Sequence, residues 1–338
     1  MRKIIVFLMM LLCLLSGCGV HEDTNKSTSE SDNLDALFDS GTDGNDEGGI
    51  LFSLDDPIET VYTYNGDALA LPFTITGASD GSSSEIGVLL LVDGIPQPYT
   101  ALYEDGTQRD ADYMQVFNLK EAQSDHFNMV FQPITGKTGD TVSVMAMTIL
   151  DPSFIAKGEN NPQYGIHHAD SATIARHITF AKDAPADGYA SSSADYSVTE
   201  LSEDITEQLS AWGAMDSLDT TANLSLVTSE SNVILADGKT ASITIRFYGG
   251  PEANFNISLF VNHKPIKLDG ADCLSVRTEK NKMIEATFQI DTTGLGELNT
   301  IYAIAATSGA DDVIEINNPI KSSSVLMVNT RRTNDEKN

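Results

Sequence analysis

Two alternating runs set the reading of this chain. Leu71, Phe73 and Ile75 alternate with Pro72, Thr74 and Thr76, and Ile243, Ile245 and Phe247 alternate in the same way with Ser242, Thr244 and Arg246. A period of two puts successive side chains on opposite faces, so each run predicts a strand with one face in a core and the other in water. Val88 to Val92 is apolar without a break and predicts a more buried strand. Val142 to Ile149 and Thr300 to Ala306 predict a further matched pair, entered through Gly139-Asp140 and Gly296-Glu297. One stretch has a different period. Leu201, Ile205, Leu209 and Trp212 recur at four, four and three residues, which is one face of a short helix with Ser202 as its N-cap. Such a face mostly covers its own core, so the helix is expected to dock on one or both domains; a partner-binding helix is the other reading.

The strands recur. Val61, Asn65-Gly66, Phe73 and Gly77 match Val233, Asp237-Gly238, Ile245 and Gly249 at an offset of 172. Leu91-Val92-Asp93 and Pro96 match Phe260-Val261-Asn262 and Pro265 at 169. Phe131-Gln132 matches Phe288-Gln289 at 157, and that register runs without a gap to Asn160-Asn161-Pro162 against Asn317-Asn318-Pro319. Its 32 positions hold eight identities, where ordinary residue frequencies give about two. The chain therefore reads as a tandem duplication. Short strands punctuated by Asn-Gly, Asp-Gly and Pro turns predict a sandwich of about 100 residues per copy, immunoglobulin-like or fibronectin-like. The repeated Asn-Asn-Pro reads as a shared turn, since Asn favours turn conformations and Pro rigidifies the exit.

The N-terminus predicts where the chain resides. Arg2 and Lys3 precede an uncharged apolar run from Ile4 to Leu15, closed by Leu15-Ser16-Gly17-Cys18. The 12 apolar residues fall short of the roughly 20 that span a bilayer, and basic start, apolar run and small residues together make an export signal. The Leu-Ser-Gly-Cys string resembles the lipobox of bacterial lipoproteins. That resemblance implies cleavage before Cys18, a diacylglyceryl group on its thiol, and a location at the cell membrane facing outside the cytoplasm. Two acyl chains anchor stably where one is marginal.

Residues 19–49 carry nine acidic residues against Lys26 and few apolar ones, so they predict a disordered, self-repelling tether of at most about 100 Å. Asp43 to Leu54 superficially follows a calcium loop, but its twelfth position is Leu54 where a bidentate Glu is needed, so a solvated linker is the reading. Without residues 1–17 the chain has 18 basic and 49 acidic residues, a net charge of −31, which excludes nucleic acid and anionic lipid as partners through the general field. Cys273 is left as the one cysteine not assigned to the signal or the anchor, so no intramolecular disulfide is expected; it reads as a small buried apolar residue.

The expected organisation is all-β: a lipoprotein signal (1–17), a lipidated disordered acidic tether (18–49), two tandem immunoglobulin-like β-sandwich domains (50–182 and 222–330), a linker with the short helix between them (183–221), and a polar tail (331–338). This architecture resembles lipid-anchored bacterial surface proteins with tandem modules of that kind.

Chemistry is sparse. The sequence has no phosphate-binding glycine-rich loop, no His-Glu-x-x-His, and no regular strand–helix alternation. His167-His168-Ala169-Asp170, with His177 beyond, is the densest ionisable cluster; a metal needs three or four convergent ligands, so an exposed polar loop is expected, with no metal and no cofactor. The copies differ most where the offset falls from 169 to 157, which leaves 12 extra residues in the first. That region holds Tyr99, Tyr103, Glu104, Asp105, Arg109, Asp110, Asp112 and Tyr113. Loops on such scaffolds carry function, and aromatic faces beside carboxylates suit a glycan or a peptide. Tyr99, Tyr103, Asp105, Asp110, Asp112 and Tyr113 are the candidate ligand contacts, with Tyr103 and Tyr113 as anchors; a neutral surface insertion is the alternative. The expected function is a lipid-anchored extracytoplasmic binding or adhesion protein for a glycan or protein ligand, without catalysis. The alternatives are a structural or assembly subunit of an envelope complex and, third, a surface enzyme.

Overall fold

Eleven strands build the first module: β1 (Leu51–Leu54), β2 (Val61–Tyr64), β3 (Leu69–Thr76), β4 (Ser84–Val92), β5 (Ile95–Gln97), β6 (Thr100–Leu102), β7 (Met114–Leu119), β8 (Ser124–Phe131), β9 (Thr141–Leu150), β10 (Asp170–Ala172) and β11 (Arg176–Phe180). One sheet has the order β1-β3-β8-β6; the other has β2-β11-β9-β4-β5, with β10 on β9 and β7 on β4. Leu71, Phe73 and Ile75 are fully buried, as the alternation predicts. They meet Val88, Leu90, Val144 and Ile178 of the facing sheet in one core. Each such side chain contributes about 1.5–3 kcal/mol on burial.

The computed structural model describes residues 50–78, 84–157, 164–185, 196–211, 213, 215–228, 232–309 and 319–330, all within one compact unit. Cys18, the signal, the tether, Trp212, the residues Asn160, Asn161, Pro162, Asn317 and Asn318, and the tail lie outside the described residues, as does the first part of the calcium-like string, whose last position Leu54 is a buried residue of β1. No helix among the described residues is long and apolar enough to cross a membrane.

The second module repeats the first. Its strands are β12 (Ser197–Glu200), β13 (Ala222–Leu226), β14 (Val233–Ala236), β15 (Thr240–Gly249), β16 (Asn254–Val261), β17 (Lys264–Ile266), β18 (Leu274–Arg277), β19 (Lys282–Asp291), β20 (Leu298–Thr307), β21 (Ile320–Lys321) and β22 (Val325–Asn329). The order β14-β22-β20-β16-β17, with β18 on β16 and β21 on β20, reproduces β2-β11-β9-β4-β5 strand for strand. Even the unusual parallel edge recurs: Val61–Tyr64 pairs with His177–Phe180, and Val233–Ala236 with Leu326–Asn329. The two layers of this module are joined through the pair Ala236↔Ala241 across the Asp237-Gly238 turn, where Gly238 has φ +87°. Both modules are thus β-sandwiches of immunoglobulin-like character, in tandem.

The outer layers differ at one edge. In the first module β6, from the enlarged region, pairs with β8; in the second, β12 from the linker takes the matching place on β19. The extra residues of one copy and a linker segment of the other fill the same need, which is to cover the edge of an exposed sheet. The predicted helix forms over Glu203–Ala211, after a four-residue turn of helix at Tyr164–His167. The Ser202 carbonyl accepts the Thr206 N–H, so Ser202 stands at the N-cap, while its hydroxyl makes no hydrogen bond. Ile205 and Leu209 pack with Leu218 and Met283, against the second module's own outer sheet.

The modules meet face to face. In β4, Val88, Leu90 and Val92 enter the first module's core, while Leu89 and Leu91 point the other way. Leu89, Leu91, Met145, Met147 and Ile149 pack against Phe260, Tyr302, Ile304 and Ala306 of the second module. These strands are buried almost end to end because both of their faces are covered. Met145, Met147 and Ile149 correspond to Tyr302, Ile304 and Ala306 at the repeat offset of 157, and Leu91 to Phe260 at 169. The same face of each copy is used, which is the pattern of a two-fold, isologous interface. The turns at the ends of the seam obey it too. Asp93-Gly94 reaches Gly309, whose N–H donates to Asp93 Oδ1 at 2.7 Å; Asn262-His263 reaches Pro152, whose carbonyl accepts from His263 Nε2 at 2.6 Å. Pro152 and Gly309 are themselves 157 apart.

Candidate functional site

The enlarged region does not present its six candidate residues as one face. Tyr99 is fully buried, and its hydroxyl donates to the Val88 carbonyl at 3.0 Å. It is a core residue with a satisfied polar tip and offers no surface to a ligand, which corrects the expectation for this position. Burial raises its pKa well above the ordinary tyrosine range. Tyr103 lies half-buried beside Phe127, with ring centroids 6.0 Å apart, and Arg109 stacks over Phe117 at 4.3 Å. Arg109 Nη1 donates to the Val116 carbonyl at 2.6 Å, which ties the loop down. Asp105 forms the tip, where its carboxylate accepts from the Thr107 N–H at 2.9 Å and the Thr107 hydroxyl at 2.6 Å. Those two hydrogen bonds hold its pKa below the usual range. Asp110 is exposed, and its carbonyl accepts from Gln115 Nε2.

Asp112 and Tyr113 lead to the second module. The Asp112 carboxylate accepts the Tyr113 N–H at 2.7 Å and lies 4.0 Å from Lys264 Nζ. The Tyr113 ring lines a cleft of about 150 Å³ with Ile95, Pro96 and Ile134. Its other wall is Pro265, Ile266, Lys267 and Asp272 of the second module. Pro96 and Pro265 are repeat-matched, so the cleft lies across the pseudo-two-fold relation, with equivalent strands β5 and β17 on its two sides. Tyr113 breaks that symmetry on one wall, and the Lys267–Asp272 ion pair at 3.4 Å breaks it on the other. Burial first, then the charges of Asp272 and Asp112, raise the Tyr113 pKa, so its hydroxyl is neutral. The cleft thus offers two prolines, aliphatic walls, a phenol and one charge of each sign. Lys267 and Asp272 carry no signal of their own in the sequence; the matched prolines were the one available pointer.

The histidine cluster is placed differently from expectation. His168 is 2 % exposed and sits on the seam, so it belongs to no exposed loop. Among the described residues no three His, Cys, Asp or Glu side chains converge as a metal site. The sequence does contain one Gly-x-Ser-x-Gly string, Gly77-Ala78-Ser79-Asp80-Gly81. Its Ser79, Asp80 and Gly81 lie outside the described residues. Cys273 is buried, with its Sγ 3.6 Å from Asn256 Oδ1.

No family model matches the chain, and no curated protein matches it. Solved structures with similarity include the fibronectin(III)-like modules of Clostridium thermocellum CbhA, at 10 % identity over 85 % of this chain and 98 % of that one, with a TM-score of 0.22. The Salmonella enterica SafA pilin in complex with the SafB chaperone gives 12 % identity over 82 % and 97 %, at 0.22. A Porphyromonas gingivalis protein of unknown function gives 9 % over 83 % and 100 %, at 0.21. Likenesses this distant carry no argument; the assignment to tandem β-sandwiches rests on the strand order and pairing of this chain.

Proposed function

We propose that this chain is a lipid-anchored, extracytoplasmic binding protein that takes a glycan or an extended peptide at the cleft between its two sandwiches, without catalysis. The cleft at Tyr113 carries the reading. It combines an aromatic face, two prolines and the Lys267–Asp272 pair at a place that exists only when both modules are joined. An aromatic ring supplies a large rigid contact surface at low entropic cost, and the ion pair supplies hydrogen-bond donors and acceptors for hydroxyls or backbone amides. Asp112 and Tyr113 remain from the enlarged region as ligand contacts; Tyr103, Asp105 and Asp110 frame its outer surface.

The second reading is an assembly or spacer subunit of an envelope complex. It is supported by the apolar seam, which locks two sandwiches into one stiff body. A glycan array and an envelope-protein pull-down with the lipid-free chain from residue 19 onward separate the two. The binding reading expects a captured ligand and a loss of about 10- to 100-fold in affinity for Tyr113→Ala, at unchanged stability. Capture unaffected by both Tyr113→Ala and Lys267→Ala rules the cleft out. Stable co-purification of an envelope complex that survives both substitutions points to the assembly role.

A further inference from the structure

Beyond the apolar contact, the seam has a polar end built around two buried histidines, one from each module. His168 and His263 stand with ring centroids 5.5 Å apart. Each bridges to the other module. His168 Nδ1 is 2.9 Å from Ser324 Oγ, and its Nε2 is 3.1 Å from the Phe154 carbonyl. His263 Nε2 is 2.6 Å from the Pro152 carbonyl, and its Nδ1 is 3.0 Å from the Tyr302 hydroxyl. A carbonyl only accepts, so both Nε2 atoms carry hydrogen, and both Nδ1 atoms then accept from a hydroxyl. The hydrogen-bond pattern is complete with two neutral rings. His263 also holds φ +65° where its repeat partner is Gly94, a backbone position at which a side chain is costly unless it does something there.

We propose that this polar end is a proton-operated latch: protonation of His168 and His263 releases the two sandwiches from each other.

The surroundings decide the sign. A proton on either Nδ1 turns an acceptor into a donor and forces the Ser324 or Tyr302 hydroxyl to rotate away inside a buried site. The nearest cation is already there: Lys321 Nζ, 3 % exposed, donates to the His168 carbonyl at 3.0 Å and to Asp170 at 3.3 Å. The nearby carboxylates are engaged elsewhere. Asp170 holds Lys321, Asp151 holds His167 at 2.9 Å, and Glu85 accepts from the Ser153 N–H and hydroxyl. The Tyr164 and Tyr302 rings flank the pair. Burial, then the neighbouring His263 and Lys321, hold the His168 pKa down at about 3; burial and then Lys321 also lower His263, against raising contributions from its hydrogen bond to the Pro152 carbonyl and from Glu85. A depressed pKa means stability that is present above the ordinary value of 6.5 and is lost as pH falls from there toward 3.

Two groups oppose the latch. Asp93, at the other end of the seam, is raised by burial to about 6, and Asp170 is raised by burial, so protonating either favours the closed state. The two rings share one buried site, and its hydrogen bonds are complete only while both rings are neutral, so acidification strains that site at two points, whereas Asp93 stands at the far end of the seam.

Hydroxyl-radical footprinting of the full chain reads the latch directly, because Met145 and Met147 are buried in the seam while Met129 is buried in the first module's own core. Between pH 7.5 and pH 4.5 the oxidation rate of Met145 and Met147 is expected to rise at least fivefold relative to Met129. The double variant His168→Gln with His263→Gln keeps an amide donor toward each carbonyl and is expected to stay flat. A flat wild type overturns the proposal, and so does a double variant that opens with the wild-type midpoint. Should the double variant expose its seam already at pH 7.5, ring-proton NMR of the wild type decides. Rings that titrate in step with Met145 exposure support the latch, and rings that titrate while the seam stays closed overturn it.

Discussion

Tyr99 and Tyr113 share a residue type and a loop, and physics assigns them opposite roles. Tyr99 closes the core beneath the loop; its hydroxyl exists to satisfy the Val88 carbonyl. Tyr99→Phe removes that buried hydrogen bond, so it is expected to cost about 0.5–1.5 kcal/mol in urea unfolding while leaving ligand capture unchanged. Tyr113→Ala is expected to do the reverse. Arg176 illustrates a third role that its residue type did not announce. It is 6 % exposed, and its guanidinium donates to the carbonyls of Leu54, Asp56 and Ile174, so it acts as a clamp on the N-terminal strands.

At the scale of elements, the strands divide by pattern. Alternating strands such as β3 and β15 face water on one side, and their inward sets were legible from the period alone. Uninterrupted strands such as β4, β9 and β20 carry both a core and the seam. An isolated fragment of residues 196–330, which keeps β12 and the helix on the outer sheet, would leave Phe260, Tyr302 and Ile304 uncovered. That fragment is expected to fold as a β-rich unit without a disulfide and to self-associate through this face, because the seam is of the isologous kind. Sedimentation would show a dimer, and Tyr302→Glu in the same fragment would return it to a monomer. A monomeric unmodified fragment speaks against a self-complementary face, and a disordered one against an autonomous module.

At the scale of the whole molecule, two sandwiches share one apolar seam, and the pair is proposed to stand on an acylated cysteine. Cys18→Ala is expected to block acylation and to leave an uncleaved precursor or a released protein. Mature-size protein that still sediments with membranes would end the lipoprotein reading. Stiffness matters for the proposed cleft, since Tyr113 and the Lys267–Asp272 pair are held on different modules. A flexible joint would make their spacing variable, and the ordering cost would be charged to every binding event.

The sequence by itself determined everything that is local or periodic. Alternation named the inward faces of β3 and β15, the four-four-three spacing named the helix over Glu203–Ala211, and gapless identities exposed the duplication. It also supplied the lipobox-like string, which is a matter of order along the chain. The match of β11 to β22 was invisible, because His177-Ile178-Thr179-Phe180 and Leu326-Met327-Val328-Asn329 share no residue although they occupy the same parallel edge. Tertiary structure alone decided what covers the second face of β4, β9, β16 and β20. A largely apolar run such as Val88 to Val92 states that both faces avoid water, and nothing in its period says whether a helix, a loop or another sheet does the covering. Here it is the other copy. The seam, the cleft at Tyr113 and the pairing of His168 with His263 all follow from that one contact, between residues about 95 to 220 apart in the chain.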